Sequence, residues 1–272
     1  MAMKLEKKLT DIHTHMEQYT AEEFELALNH ADATGVKWMV TSGLDLQTSQ
    51  AGVEIASVHE QVLAAAGIHP WIAADNFPDN FHDRIRSLAG KYEIVAIGEV
   101  GLDFIDNVFA GITYHDNEQL RNAQEQAFRK QVELACQLKL PLIIHARGAY
   151  STVISILREE KAHRAGGVIH NFDANDKAAG KLLDMGFYLS FGGVITYPEA
   201  LELHATIRNI PLSSVLIETD SPYMPLYKQS TEKNEPANAV QVAIKLAHIK
   251  KIDTDEIIDK VHSNFKTLLK IH

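Results

Sequence analysis

The sequence predicts an α/β fold, a (β/α)8 TIM barrel with an additional helix at its C-terminal end. Eight short apolar runs are spread over the 272 residues, and amphipathic stretches with helical spacing lie between them. Most of these runs are continuously apolar, as strands buried on both faces of a parallel sheet are. Because strand and helix patterns alternate eight times, a closed barrel is favoured over an open doubly wound sheet.

The eight apolar runs are the predicted strands, and each has an ordinary strand length. No G-x-G-x-x-G fingerprint, low-complexity linker or short repeat interrupts the pattern, so we expect a single barrel domain spanning residues 1–272. In chain order the predicted strands are Leu9–His15, Val36–Ser42, Val62–His69, Ile94–Glu99, Pro141–Ala146, Gly167–Asn171, Phe187–Phe191 and Val215–Thr219.

The helices are predicted from capping residues and from the glycines that follow amphipathic stretches. Thr20 and Glu23 form a capping box that begins the first helix, and Gly35 ends it. Gly90 and Gly186 mark the ends of two further helices. The longest helix is expected within residues 117–140, and the additional helix after the eighth covers Asp253–Lys270.

The composition is that of a globular protein, with 46% hydrophobic and 23% charged residues. The net charge of −10 argues against a broad basic surface that grips nucleic acid through many phosphates. The single cysteine, Cys136, excludes an intramolecular disulfide and fits a reducing compartment. No apolar stretch has the length of a signal peptide core or a transmembrane helix. We therefore expect a cytoplasmic protein with no membrane association and no obligate protein partner.

Polar residues at strand ends indicate the functional site, because barrels of this kind carry their active sites at the C-terminal ends of the strands. Alternate side chains of a strand share a face, so Asp11, His13 and His15 point the same way. A half-solvated strand face is one explanation of this stretch, and a shared metal ion is the other. Five other strands end in polar residues: His69, Glu99 with Asp103 beyond it, His145 with Arg147, His170, and Asp220.

Five of the fourteen histidines lie at these strand ends. A single histidine there is often only structural, but five, with Glu99 and Asp220, would be costly to bury without a common partner. We therefore expect a metal centre with two divalent ions, since the donors exceed the three protein ligands usual for one catalytic zinc. Nitrogen-rich ligation suits zinc, and the carboxylates leave manganese, cobalt and magnesium open. The predicted ligands are His13, His15, Glu99, His145, His170 and Asp220.

The chain resembles the TatD family of metal-dependent deoxyribonucleases, within the amidohydrolase superfamily. The motifs that carry this resemblance keep the family's order along nearly the whole chain: DIHTH, GIHP, IGEVGLD, PLIIHAR, VIHNF, IETDSPYM and NEP. The resemblance implies a barrel with a two-metal site that Glu99 bridges. One ion would be held by His13, His15 and Asp220, and the other by His145 and His170.

Some residues depart from the family's usual pattern, and they lie at the mouth of the predicted site. Family members have Cys-Phe-Ser-Gly where this chain has Asn-Phe-Asp-Ala at 171–174, and Ser where it has Ala146. The loop Phe104–Asn117 is longer than usual and is predicted to form a lid. These departures leave the metal ligands intact and bear on the identity of the substrate.

The expected activity is metal-assisted hydrolysis, most directly a TatD-like deoxyribonuclease with 3'-5' exonuclease-type cleavage of DNA ends. Asp220 would orient a water molecule and take its proton, beside the bridging Glu99. His69 and Arg147 would bind an anionic substrate oxygen. Asp11 is expected in the shell around the ligands, where it would orient a ligand imidazole.

Two other functions stay open from the residues. A hydrolase of a small anionic lactone, amide or phosphoester could use the same metal centre, and the acidic net charge favours it. A catalytically inactive binding protein is disfavoured because all six ligands are present. The pair Gly192-Gly193 after the seventh strand would either offer backbone N–H groups to a phosphate or only form a tight turn.

Overall fold

The strands of the chain form one parallel sheet in which each strand pairs with the next along the sequence, from β1 to β8. The computed structural model describes residues 8–106, 117–227 and 233–271. The predicted (β/α)8 barrel is therefore confirmed. Its strands are β1 (Leu9–Thr14), β2 (Val36–Ser42), β3 (Val62–Ala66), β4 (Ile94–Asp103), β5 (Leu142–Arg147), β6 (Gly167–Ile169), β7 (Tyr188–Phe191) and β8 (Val215–Ile217).

The barrel closes where the segment after β8 meets the end of β1. The backbone N–H of Asp220 donates to the carbonyl oxygen of His13 over 3.0 Å, and that of His15 donates to Ser221 over 2.7 Å. Thr14 and Ser221 form a parallel bridge between these two hydrogen bonds. The closure therefore brings the first and the last of the predicted ligands side by side.

Helices connect successive strands, and the last helix follows the complete set of β/α units. The capping box of Thr20 and Glu23 is present, and Gly35 follows the first helix with φ of +83°. The side chain of Asp253 caps the last helix by accepting from the backbone N–H of Asp255. The helices are α1 (Ala21–Ala33), α2 (Leu46–Ala56), α3 (Pro70–Asn76), α4 (Phe81–Lys91), α5 (Glu118–Leu138), α6 (Tyr150–Glu159), α7 (Asp176–Asp184), α8 (Leu201–Asn209), α9 (Ala239–Lys250) and α10 (Thr254–Leu269).

The main differences from the predicted boundaries lie next to the site. The third strand ends at Ala66 instead of His69, because His69 is already the N-cap of α3. The fourth strand continues past Glu99 to Asp103, because its last residues pair with β5. Gly90 does not end α4, which stops at the extended residue Tyr92.

The hydrophobic core holds the helices against the sheet. All six residues of β1 and all ten of β4 are buried. Phe81 of α4, Phe128 of α5 and Phe265 of α10 are fully buried, and the ring of Phe265 stacks with Trp38 of β2. Each such phenylalanine contributes about 1.5–3 kcal/mol through burial, so α10 is anchored to the barrel.

Two further expectations concern the predicted lid and the absence of a membrane-spanning helix. The predicted lid, Phe104–Asn117, lies largely outside the described residues, which omit 107–116. Among the residues that the structure describes, no helix has the length and apolar character needed to cross a bilayer.

Candidate metal centre

The six predicted ligands lie together at the C-terminal ends of the strands, under one cavity. Five of them are buried, and the imidazole of His145 keeps 15% of its surface exposed. The cavity above them has a volume of about 430 Å³. Its walls include Leu44, Trp71, Arg147, Asp173, Val194, Tyr223 and Met224. The site therefore has a buried polar floor and a mouth of mixed character.

Glu99 occupies the middle of the cluster, and its two oxygens face different histidines. Oε2 lies 3.4 Å from Nε2 of His13 and 3.6 Å from Nε2 of His15. Oε1 lies 2.9 Å from Nδ1 of His145 and 3.0 Å from Nε2 of His170. A carboxylate whose oxygens serve two sets of nitrogen donors suits a bridge between two cations.

Asp220 lies with the first pair of histidines. Its Oδ1 atom is 3.5 Å from Nε2 of His13 and 3.4 Å from Nε2 of His15. Burial raises the pKa of Asp220, but His15 and its neighbours outweigh burial and lower it overall. The carboxylate is therefore ionised, and the division of the ligands between two ions stays a prediction. The number of ions stays a prediction.

The outer ring atoms of three histidines are hydrogen-bonded to acceptors, which fixes their tautomers. Nδ1 of His15 donates to the carbonyl oxygen of Ser42 over 2.8 Å. The ring of His170 donates from Nδ1 to Oε1 of Glu218 over 3.2 Å, and that of His145 donates from Nε2 to Oδ2 of Asp103 over 3.1 Å. When the opposite nitrogens lose their protons, they carry lone pairs that face the cluster, as metal-binding imidazoles do.

The ring nitrogens that face the cluster lie close to one another, and these short distances indicate whether the site suits a cation. Nδ1 of His145 and Nε2 of His170 are 3.1 Å apart, and Nε2 of His13 and of His15 are 3.2 Å apart. Facing lone pairs repel unless a proton or a cation lies between them. Two compact groups, His13 with His15 and Glu99, and His13 with His170 and Asp220, have donor atoms within 4.8 Å of one another. The donor set fits divalent metal binding.

The electrostatics of the cluster indicate the same conclusion. Burial raises the pKa of Glu99, but the surrounding histidines outweigh it and hold the pKa well below its usual range. Burial lowers the pKa of His15, but the carboxylates around it, chiefly Asp220, raise it well above its usual range. Ionised carboxylates thus retain protons on neighbouring imidazoles. A bound cation replaces such protons, because imidazole ligates in its neutral form.

His69 lies close enough to be counted with Glu99 and His145 as a third possible metal group. Its Nδ1 atom accepts a hydrogen bond from the backbone N–H of Trp71, so in the neutral ring the proton is on Nε2. That Nε2 lies 3.5 Å from Oε1 of Glu99. Burial lowers the pKa of His69 to about 3. A neutral ring with an inward N–H is a hydrogen-bond donor, which suits the predicted substrate contact better than ligation.

Arg147 and Asp11 lie at opposite depths of the site. Arg147 is the last residue of β5 and lies at the mouth, where its side chain is 52% exposed. Its Nη1 atom is 3.8 Å from Oδ2 of Asp103. Asp11 is fully buried and accepts from the hydroxyl and the backbone N–H of Thr219 and from the backbone N–H of His13. The expected contact with an imidazole is replaced by these bonds, because Asp11 lies two residues, about 7 Å, below His13 along β1. Asp11 thus fixes the backbone at the closure.

Asp103 was noted beyond the fourth strand without a role and Glu218 was not predicted at all, although these two carboxylates hold two rings of the site. Both are fully buried. Glu218 precedes Asp220 by two residues, and Asp103 follows Glu99 by four, so strand alternation was an available signal for both. Gly101 lies between Glu99 and Asp103, and a Cβ there would be 2.0 Å from the carbonyl oxygen of His145. Its absence lets β4 and β5 approach closely.

The Gly192-Gly193 pair is explained by packing. A Cβ at Gly193 would lie 2.4 Å from the carbonyl oxygen of Met224, and one at Gly192 would lie 3.2 Å from Cγ of Glu218. The pair lets the turn after β7 contact the segment after β8. The tight-turn interpretation is therefore the one that the geometry favours.

Comparison with known proteins identifies the family. The family model for TatD related DNase matches residues 10–270. The chain belongs to the TatD family. YabD of Bacillus subtilis, described as an uncharacterized metal-dependent hydrolase, is 34% identical over 266 residues, which cover 97% of this chain and 100% of YabD.

Two further TatD-family comparisons concern a named activity and a solved structure. The TatD protein of Citrobacter koseri, named a 3'-5' ssDNA/RNA exonuclease, is 30% identical over 249 residues, covering 90% of this chain and 92% of that protein. The crystal structure of YjjV from Escherichia coli has a TM-score of 0.89 and 26% identity, covering 99% of this chain and 100% of YjjV. With these relatives and its donor groups, this TatD-family chain is a metal-dependent hydrolase.

The departures from the TatD pattern lie on the wall of the cavity formed by the loop after β6. Asn171 adopts the left-handed conformation with φ of +45°. The hydroxyl of Tyr150 donates to Oδ1 of Asp173 over 2.8 Å and accepts from its backbone N–H over 3.0 Å. This exchange fixes a carboxylate at the mouth of the site.

Proposed function

We propose that this chain is a 3'-5' exonuclease that removes nucleotides from DNA ends with two divalent ions. The observation that carries the proposal is the division of donors about Glu99, whose two oxygens face separate pairs of histidines beneath one cavity. The 3'-5' ssDNA/RNA exonuclease named from Citrobacter koseri, 30% identical, supports a single-stranded nucleic acid as the substrate. Zinc, manganese, cobalt or magnesium would suit a mixed imidazole and carboxylate site.

Divalent ions held by His13, His15, Glu99, His145, His170 and Asp220 would supply a water of lowered pKa and would polarise the scissile group. The protein's own groups orient the reactants. Asp220, ionised and at the edge of the cavity, orients the attacking water and accepts its proton. His69 donates its inward N–H to an oxygen of the scissile phosphate. Arg147, half exposed at the mouth, binds the next phosphate along the strand.

The size and charge of the site restrict the substrate to a strand end. A cavity of about 430 Å³ is in the lower part of the range for small-molecule sites, about 300–1,000 Å³. It admits one or two nucleotides. With 26 basic and 36 acidic residues, few phosphates are neutralised away from the centre. A chain end that enters the cavity explains both features.

The proposal is tested with two single-stranded DNAs of the same composition, one linear and one covalently closed. The metal-loaded protein should shorten the linear strand stepwise from its 3' end and leave the circle intact. Protein treated with chelator and the Asp220→Asn variant should be inactive in parallel, which excludes a contaminating nuclease. Cleavage of the circle would contradict the end-trimming mechanism.

The carboxylate of Asp173 at the mouth favours a second candidate, a hydrolase of small anionic esters or lactones. A fixed negative charge on the wall of the cavity that Arg147 also lines opposes a polyanion more than a substrate with a single charge. A panel of small phosphoesters, lactones and amides distinguishes the two. Turnover of a panel member, with both DNAs unchanged, would assign this second function.

A further inference from the structure

Helix α5 carries two fully buried glutamines, Gln124 and Gln131. They are seven residues apart, which places them on the same face about two turns from one another. A primary amide buried away from water needs partners for its oxygen and its N–H₂ group. Both side chains find these partners on the backbone of segments that lead to the metal centre.

Each glutamine binds the N–H and the C=O of one backbone residue. Oε1 of Gln131 accepts from the N–H of Ile68 over 2.8 Å, and its Nε2 donates to the Ile68 carbonyl over 3.0 Å. Oε1 of Gln124 accepts from the N–H of Asp103 over 2.9 Å, and its Nε2 donates to the Asp103 carbonyl over 2.9 Å. A residue of extended backbone presents both groups on one side, where an adjacent strand would normally bind them.

The glutamines take the place of a strand at the point where two strands separate. The last pair between β3 and β4 is Ala66 with Ile97. Ile68 and Asp103 lie beyond that pair, so their backbone groups face α5. An N–H or a C=O that is buried without a partner is destabilising, and each glutamine satisfies one of each. Helix α5 therefore continues the hydrogen bonding of the sheet past its end.

Ile68 and Asp103, the residues whose backbone groups bind the glutamines, are each next to or in contact with a histidine of the site. Ile68 precedes His69, whose Nε2 lies 3.5 Å from Glu99. Asp103 accepts from Nε2 of His145 over 3.1 Å. We propose that Gln131 is a positioning residue for His69 and Gln124 a positioning residue for His145, acting through Asp103. This assignment goes beyond the proposed exonuclease activity and holds for either substrate class.

The two glutamines should affect different properties. Loss of Gln124 frees Asp103 and loosens the ring of His145, so it should weaken metal binding. Removing the partner of a metal-binding histidine typically lowers affinity about 10–100-fold. Loss of Gln131 displaces His69, a donor toward the substrate, so it should weaken anion binding while metal binding stays intact. A purely structural pair would affect both properties together.

The test uses Gln124→Met and Gln131→Met, since methionine has a similar length and no amide. The matched control is Gln126→Met on the exposed face of the same helix. Full-length protein is stripped of metal and titrated with Co²⁺, followed by its visible absorption. The metal-loaded protein is then titrated calorimetrically with inorganic phosphate. Thermal unfolding of each variant reports its fold.

The expected result is a crossed pattern. Gln124→Met should bind one Co²⁺ equivalent about tenfold more weakly. The Gln131→Met variant should bind Co²⁺ within about twofold of wild type and phosphate about tenfold more weakly, the loss of one hydrogen bond to a charged group. Gln126→Met should match wild type in both titrations. Because phosphate and Co²⁺ are the probes, failure of the exonuclease proposal leaves this test intact.

Two results would overturn the proposal. One is unchanged Co²⁺ affinity in folded Gln124→Met, and the other is a parallel loss of metal and phosphate binding in both variants. If either methionine variant does not fold, the glutamate variants decide. Gln124→Glu and Gln131→Glu keep the shape and the acceptor and remove the donor. The variant at residue 124 should bind Co²⁺ more weakly and the variant at residue 131 should bind phosphate more weakly, each by a smaller factor than the methionine variant. Wild-type affinities in both glutamate variants would also overturn the assignment.

Discussion

The backbone N–H of Asp220 donates to the carbonyl oxygen of His13, so a predicted ligand that follows the last strand is fixed to one on the first strand. Asp11 adds to this closure, because its carboxylate binds the backbone N–H groups of both His13 and Thr219. The metal centre is thus complete only when the barrel closes. Asp220 itself has φ of +57°, a conformation that Asp and Asn tolerate better than most residues.

Replacing Asp220 by asparagine should remove turnover without unfolding the protein. Asparagine keeps the shape and tolerates the positive φ, but it has neither charge nor basicity. We expect turnover to fall about 100-fold or more, with an unchanged circular dichroism spectrum. Steady-state rates on the substrate identified in the DNA and ester screens measure the effect. A variant with near-normal turnover would assign the proton transfer to another group.

The ligand division about Glu99 predicts how metal content responds to substitution. His145→Ala or His170→Ala should empty mainly one site, because both rings face only Oε1 of Glu99. Glu99→Ala should lower the occupancy of both sites. Elemental analysis of protein purified without chelator gives the ratio. A wild-type content that stays at one ion per chain under saturating metal would contradict a binuclear centre.

Glu218 should matter to metal binding although it is not a predicted ligand. Its Oε1 atom holds Nδ1 of His170, and its side chain is fully buried. Glu218→Leu removes the acceptor, and we expect metal affinity to fall about 10–100-fold. Glu218→Gln keeps an acceptor oxygen of the same reach and should lose less. Equal affinities for the leucine variant and wild type would show that the ring is held by packing alone.

The sequence was most informative where strands carry chemistry at their ends. His13, His15, His145 and His170 follow apolar runs, so barrel topology alone predicts that they meet. The partners of those rings were harder to identify. Glu218 and Asp103 differ from surface carboxylates only in their contacts, and Gln124 and Gln131 look like the polar face of a helix. Hydrogen bonds between residues distant in sequence decide these roles, and local patterns do not encode them.

The boundary errors have a related cause. Periodicity predicts where a chain is apolar, and β4 remains buried well past Glu99 because β5 continues beside it to Arg147. At β3 the opposite occurs, because His69 leaves the sheet to cap α3. Both outcomes depend on the neighbouring element. They also determine the site, since they place Asp103 and His69 at its edges.

The depressed pKa of His69 predicts a pH dependence of stability. Burial lowers its pKa in the folded state to about 3, below the usual value of 6.5. Between pH 6.5 and about pH 3 His69 is protonated in the unfolded chain but not in the folded protein. The free energy of unfolding is therefore highest above pH 6.5 and falls as the pH decreases through this range. Relative to His69→Gln, metal-depleted wild type should lose about 1–2 kcal/mol between pH 7.5 and pH 5. Urea unfolding at several pH values measures the difference. A constant difference would mean that His69 titrates normally.

The last prediction concerns how DNA is held. Binding to single strands weakens with salt by a log–log slope of about −0.7 for each phosphate that the protein neutralises. The acidic chain and the small cavity leave room for few such contacts, so we expect a slope between about −1 and −3 for a linear oligomer. Among the described residues that line the cavity, Arg147 is the exposed cation, and Arg147→Ala should reduce the slope by about 0.7.

Arg158→Ala, which removes a charge on α6 outside the cavity walls, is the matched control and should leave the slope unchanged. Fluorescence anisotropy of a labelled oligomer with the Asp220→Asn variant measures binding without cleavage. A slope steeper than about −5 would require contact with about seven phosphates. That result would exclude binding confined to a strand end and would require an extended nucleic-acid surface on this acidic protein.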